Sequence, residues 1–340
     1  MVGVPRRPLG STGLQVSVLG FGASPLGGVF TEVSEAVCIQ AVHSAFQAGI
    51  NYFDTSPYYG ATKSETMLGK CLAGLPRDQI VVATKVGRYG AETFDFSAER
   101  VTASVHESLA RLQLTYIDVI QCHDIEFGSL DQVLNEALPA LVKLKALGLV
   151  RHIGITGYPM HSLHYILDRA PPGKSLSLFP VPPRQIDLVL SYCRMCLCDR
   201  TLAEHMDYFL DKGVGVINAS PLSMGLLTEQ GPPDWHPARQ EIKDACRAAA
   251  EHAKARGSDV SKIAVSAVVG YPNIATTLVG MASPEIVALN VGYVLQAFEL
   301  EANPKAALEA QVAAEVAHQM TGVLSCPTWP SGRPENSGPE

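Results

Sequence analysis

Residues 50–70 read INYFDTSPYYGATKSETMLGK. The stretch begins as a strand and ends as a helix, and the turn between them carries Asp54, the tyrosine pair Tyr58 and Tyr59, and Gly60. Asp is disfavoured in strands, and two phenols are awkward to place in a tight turn. The combination makes sense where a buried strand ends at an open mouth. The same alternation recurs along the chain. Short apolar, β-branched runs occupy 16–22, 50–54, 80–85, 116–123, 151–156, 186–191, 213–220 and 275–280. Segments with apolar residues at helical spacing separate them. Val101, Val105, Leu109 and Leu112 form one stripe; Leu130, Leu134, Leu138, Leu141 and Leu144 form another. Gly49 and Gly148 stand where helices are expected to end.

Near-continuous apolar strands alternating with helices predict a parallel sheet covered by helices. Eight repeats over about 290 residues suit a closed (β/α)8 TIM barrel better than an open doubly wound sheet. The open sheet has a further difficulty. No G-x-G-x-x-G follows an early strand, and the glycines of FGASPLGGVF lack that spacing. One barrel domain is expected over 1–322, followed by a partly disordered tail over 323–340. The proline-rich link PPGKSLSLFPVPPRQ (171–185) is expected to be a surface excursion before the sixth strand.

Of the 340 residues, 47% are hydrophobic and 17% charged, so a large core is available. A net charge of −7 argues against a nucleic-acid partner. No apolar run reaches the roughly 18 residues that a bilayer span requires. MVGVPRRPLG lacks the apolar segment of a signal peptide, so a soluble cytoplasmic protein is expected. The eight cysteines are then expected to be free thiols. Cys193, Cys196 and Cys198 with His205 could hold zinc by spacing. Their position after the apolar run DLVLSY favours ordinary buried thiols and no metal.

The polar residues fall at strand ends, where barrel side chains enter the mouth. These are Asp54, Lys85, His123 with Asp124, Thr156, Ser191 with Tyr192, and Ser220, with Tyr58 and Tyr59 in the loop after the second strand. Four of these residue types make one device. A phenol is a weak acid or base near neutrality, and a nearby ammonium lowers its pKa. Lys85 can supply that charge, Asp54 can hold Lys85, and His123 can orient a substrate oxygen. The phenol then moves a proton to or from that oxygen. A hydride from the adjacent carbon has no acceptor among amino acid side chains, so a cofactor is required.

FDTSPYYG…LGK, ATK, DVIQCHD, IGIT, SPL…G and LVG…N together resemble the aldo-keto reductases, over roughly residues 8–300. The resemblance implies a barrel that binds a nicotinamide cofactor without a Rossmann motif. It implies a tetrad of Asp54, Tyr59 (not Tyr58), Lys85 and His123. It also implies cofactor contacts at Thr156 and Ser191, at Ser220, Leu222 and Gly225 for the pyrophosphate, and at Gly280, Met281, Ile286 and Asn290 for the adenosine. Relatives that grip a 2′-phosphate carry Lys and Arg at the positions of Gly280 and Ile286, so NAD is the implied cofactor. The chain departs from the family at Gly157, where Asn is usual, and at Leu289, where Glu is usual. The strings CHDIEFGSLDQ, LSYC, SPLSMGLLTEQGPPDWHPA and TWPSG resemble aldose-oxidising members. They imply a small-molecule sugar substrate, and a monomer or weak homodimer is expected. A cofactor-binding redox-sensing subunit and an NADPH-dependent aldehyde reductase are the competing readings.

Overall fold

The computed structural model describes residues 3–29, 32–170 and 186–324. Its strands are β1 (Arg6–Pro8), β2 (Gln15–Ser17), β3 (Leu19–Gly22), β4 (Tyr52–Asp54), β5 (Val81–Val86), β6 (Ile117–Cys122), β7 (Val150–Gly157), β8 (Leu188–Tyr192), β9 (Gly215–Ala219) and β10 (Ile274–Gly280). Strands β3 to β10 run parallel in chain order and close into a barrel, with β10 pairing back onto β3 from Thr277↔Leu19 to Gly280↔Gly22. This is the (β/α)8 architecture expected from the alternation; closure excludes the open sheet.

Strands covered on both faces should read as continuous apolar runs, and β5 and β6 are buried throughout. Their outward residues pack on the helix stripes: Val101, Val105, Leu109 and Leu112 are all buried. In the other stripe Leu130, Leu138, Leu141 and Leu144 are buried and Leu134 is partly so. Pro139 lacks an N–H, and the turn before it widens, with Leu138 N–H donating to Val133 O, five residues back. The inward residues form a separate core that includes Tyr52, Ala83, Val119, Leu188 and Ile217.

The first expected run is not one strand. Gln15–Ser17 instead pairs antiparallel with Arg6–Pro8, and only Leu19–Gly22 joins the barrel. The hairpin closes the barrel's N-terminal end. Leu9 is fully buried in the interior core. Arg7 Nη1 donates to the carbonyls of Tyr271 (2.7 Å) and Ile274 (2.9 Å). A Cβ on Gly10 would lie 2.3 Å from Gly215 N, so only glycine allows this approach.

The final helix, Ala306–Leu324, packs through Val312 and Val316 on Gln240–Ala255. The link 171–185 and the chain from residue 325, with Cys326 and TWPSG, lie outside the described residues. Among the described residues no helix is long and apolar enough to cross a membrane.

Candidate active site

Side chains alternate along a strand. Tyr52 faces the barrel interior, and so therefore does Asp54. By the same period Lys85 follows Val81 and Ala83, and Gln121 and His123 follow Val119. Three neighbouring strands thus bring an acid, an ammonium and an imidazole to one mouth.

Lys85 Nζ donates to Asp54 Oδ1 and, at 2.8 Å, to Thr55 O. Gln121 Nε2 donates to Asp54 Oδ2 at 3.1 Å. Asp54 and Lys85 are 3% and 1% exposed, and a charge so buried needs partners. Burial works against the Lys85 ammonium, but Asp54 and Tyr59 more than offset it, and its pKa lies above that of free lysine.

The turn after β4 separates the two tyrosines. Tyr59 N–H donates to Ser56 O at 3.1 Å. A Cβ on Gly60 (φ +61°) would lie 2.1 Å from Gly27 O, so glycine lets this turn meet the loop after β3. Lys85 Nζ lies 4.8 Å from the Tyr59 ring centroid, and the His123 ring stands nearly perpendicular to it at 5.7 Å. Tyr58 instead stacks on Arg88, with Cζ 3.8 Å from its centroid. Burial raises the Tyr59 pKa and Lys85 pulls it down; burial wins, so the phenol stays above the ordinary tyrosine value. The expectation that Lys85 would bring it below that value is therefore corrected.

His123 is neutral: burial pushes its pKa down to about 3 against the pull of Asp124. Ser56 Oγ accepts from Tyr58 N–H (3.1 Å) and contacts His123 Nδ1 at 3.0 Å. Its hydroxyl hydrogen can donate to Nδ1, an arrangement that leaves the ring hydrogen on Nε2. Asp124 Oδ2 lies 3.6 Å from that Nε2.

Arg88 and Glu126 escaped the sequence reading. Arg88 pairs with Asp124 Oδ2. Asp124 N–H donates to Thr156 Oγ1 (2.8 Å), and Thr156 Oγ1 donates to Asp124 Oδ1 (3.0 Å). Glu126 Oε1 accepts from Tyr158 N–H (3.0 Å) and Tyr192 OH (3.4 Å), while its Oε2 is buried without a hydrogen bond among the described residues. Burial, with Asp124 nearby, pushes its pKa up to about 8. A Cβ on Gly157 would lie 2.9 Å from Glu126 Oε2. The departure at Gly157 was the available signal, because the missing side chain makes room for this carboxyl.

All four tetrad residues line one cavity of about 980 Å³. Its far wall includes Ser220, Leu222, Met224 and Gly280, and Thr156 also lines it. Backbone φ is positive at Ser220, Ser223, Met224 and Gly225, folding the loop tightly. The other expected cofactor residues do not line this cavity. Ser191 Oγ is buried without a hydrogen-bond partner among the described residues, and Gly225 N–H donates to Leu222 O at 3.1 Å. Met281 is fully buried, Ile286 is 40% exposed, and Asn290 Nδ2 donates to Ile286 O at 2.9 Å. The thiols turn to one another and to neighbouring groups: Cys198 Sγ is 3.6 Å from Cys246 Sγ, and Cys196 Sγ accepts from Ser223 Oγ at 3.1 Å. Among the described residues no group of three or more His, Cys, Asp or Glu could hold a metal ion.

The closed parallel barrel brings a buried acid–lysine pair, a phenol by the lysine and an imidazole to one mouth, a set of groups that can pass a proton. The profile of the Aldo/keto reductase family matches residues 18–310, and the chain belongs to that family. It is 49% identical to the L-galactose dehydrogenase of Arabidopsis thaliana over 338 residues, 99% of this chain and 100% of that protein. The D-arabinose 1-dehydrogenase of Saccharomyces cerevisiae is 36% identical over 256 residues, covering 73% of this chain and 74% of that one. The holo form of an aldo-keto reductase from Bacillus halodurans matches the fold with a TM-score of 0.71 at 27% identity, over 92% of this chain and 96% of that chain. The chain is thus an oxidoreductase of a family that uses nicotinamide cofactors. The residues present fit such a group. The cavity runs from the tetrad past Thr156 to the Ser220 loop, whose left-handed residues fold it tightly.

Proposed function

We propose that this chain oxidises L-galactose at C1 to L-galactono-1,4-lactone with NAD, on the route to ascorbate. It acts in the cytoplasm, as a monomer or weak homodimer, through a single barrel domain over 1–322. The observation that carries the reading is the position of Tyr59 between Lys85 and neutral His123 on the cavity wall. The near full-length likeness to the Arabidopsis enzyme supports the substrate.

His123 Nε2–H donates to the C1 oxygen and orients it. Tyr59 accepts the hydroxyl proton as that oxygen becomes a carbonyl. Lys85 favours the phenolate that this requires, and Asp54 with Gln121 holds Lys85 in place. The nicotinamide supplies the hydride acceptor that no side chain provides. Thr156 and Ser191 serve the nicotinamide end of the cofactor. Ser220, Leu222 and Gly225 hold the pyrophosphate, and Gly280, Met281, Ile286 and Asn290 hold the adenosine.

The test is kcat/KM over a panel of L- and D-aldoses with NAD, read as NADH formation. L-galactose should lead the panel. A better aldose, or binding of NAD without turnover of any sugar, would overturn the assignment.

A further inference from the structure

The proposed proton transfer leaves one charged pair in the cavity wall unused. Arg88 and Asp124 both line the cavity, with side chains 13% and 6% exposed. Such a pair is weak evidence of stabilisation, because apolar replacements of buried ion pairs are often neutral. Its geometry is nevertheless tightly held. The Arg88 guanidinium lies 3.8 Å from the Tyr58 ring centroid and 5.4 and 5.7 Å from those of Phe94 and Phe127. Asp124 adopts a left-handed backbone (φ +49°), uncommon for a residue with a side chain, and Thr156 bonds both its N–H and its Oδ1. Burial alone would raise the Asp124 pKa, but Arg88 and Thr156 help to outweigh it and the group stays an acceptor.

Two features point this pair at a ligand. Arg88 lines the cavity, and of the five N–H donors of its guanidinium Asp124 takes one at Nη1. Asp124 Oδ2 lies 3.6 Å from His123 Nε2, the atom proposed to hold the reacting oxygen. An acceptor beside that position, with a donor fixed next to it, matches a hydroxyl on the next carbon. A sugar hydroxyl both donates and accepts, so Asp124 can take its hydrogen while Arg88 gives one to its oxygen.

We propose that Asp124 and Arg88 together read the C2 hydroxyl of the aldose and so set the enzyme's preference for aldoses over substrates lacking that group. The inference rests on the assignment of the C1 oxygen to Tyr59 and His123 and adds the neighbouring subsite. A substrate without the hydroxyl would leave desolvated polar groups unpaired, and sites of this kind reject such analogues far more strongly than apolar pockets reject a methylene.

The experiment compares L-galactose with 2-deoxy-L-galactose in the wild type, Asp124→Asn and Arg88→Lys. NADH binding by fluorescence reports an intact fold and cofactor site. Asn tolerates the left-handed backbone, and Lys keeps the charge while losing the planar fork. The wild type should favour L-galactose by roughly 100-fold or more in kcat/KM. In each variant the ratio of kcat/KM for L-galactose to that for the 2-deoxy sugar should fall about tenfold or more, mainly through the KM of L-galactose. Equal use of both sugars by the wild type overturns the proposal. So does an equal loss on both sugars in variants that still bind NADH, since that marks a structural role. If the wild type does not oxidise L-galactose but does oxidise another aldose, the substrate assignment fails by itself. The same comparison with that aldose and its 2-deoxy form then decides the subsite.

Discussion

The Lys85 ammonium lies 4.8 Å from the centre of the Tyr59 ring. Tyr58, one residue earlier, stacks on Arg88 instead. Only Tyr59 is therefore electrostatically tied to the buried lysine. Tyr59→Phe should keep the fold and NADH binding but lower kcat by roughly 10²- to 10⁴-fold, the usual worth of a general acid–base group. Tyr58→Phe keeps the ring on Arg88 and should cost less than about threefold. A larger loss in the Tyr58 variant would reverse the assignment.

Oxidation requires the phenolate, and burial holds the Tyr59 pKa above the ordinary tyrosine value while Lys85 pulls it down. The rate of sugar oxidation should therefore climb with pH from neutrality to about pH 10, without a plateau below the free-tyrosine pKa. Lys85→Met removes the charge that favours phenolate and should shift the rise to still higher pH. The measurement is kcat/KM against pH for both proteins. Superimposable profiles would remove Lys85 from this role.

Cofactor choice should follow the charges near the adenosine ribose. The family resemblance implies cations at the positions of Gly280 and Ile286 in NADP-binding members, and Ile286 is 40% exposed at the start of the helix Pro284–Ala297. Glu285 in that first turn adds a negative charge. NAD should be preferred over NADP by about tenfold or more, equivalent to about 1.4 kcal/mol. Ile286→Arg should narrow the gap, and added salt should weaken that gain. Gly280 is a poorer place for a cation, because a Cβ there would lie 3.0 Å from Pro25 Cγ. Parity between the cofactors, or a preference for NADP, would show that a cation from another loop reaches the ribose.

Glu126 should make the fold sensitive to pH. Burial raises its folded-state pKa to about 8. The unfolded chain releases this proton near the ordinary glutamate value, so between the two values the folded state binds more protons. The group's stabilising contribution is complete below the unfolded pKa and is lost as pH rises through the folded one. Glu126→Gln keeps the shape without the titration. The wild-type Tm should therefore fall relative to that of Glu126→Gln as pH rises from about 5 to 8. A constant difference across that range would show that Glu126 ionises normally.

All eight barrel strands were legible because each is buried on both faces and reads as an apolar run. The N-terminal hairpin was not. Val16 and Ser17 continue the apolar pattern into β3, and only the antiparallel partner Arg6–Pro8 marks the break. Asp54, Lys85 and His123 were legible because period-two alternation sends strand-end side chains inward once the barrel is accepted.

By itself the sequence determined the barrel, the four residue types at its mouth and the absence of Lys or Arg at positions 280 and 286, since all are local pattern or composition. Tertiary structure decided what depends on distance between strands. It set Tyr59, which the family resemblance had already singled out, against Lys85, and burial pushed the His123 pKa down. It joined Arg88 to Asp124 across 36 positions and let Glu126 fill the space beside Gly157. Pairings of that kind, and the pKa values they set, arise when closure brings separate loops together and removes water from between them. Periodicity along one strand carries no record of them.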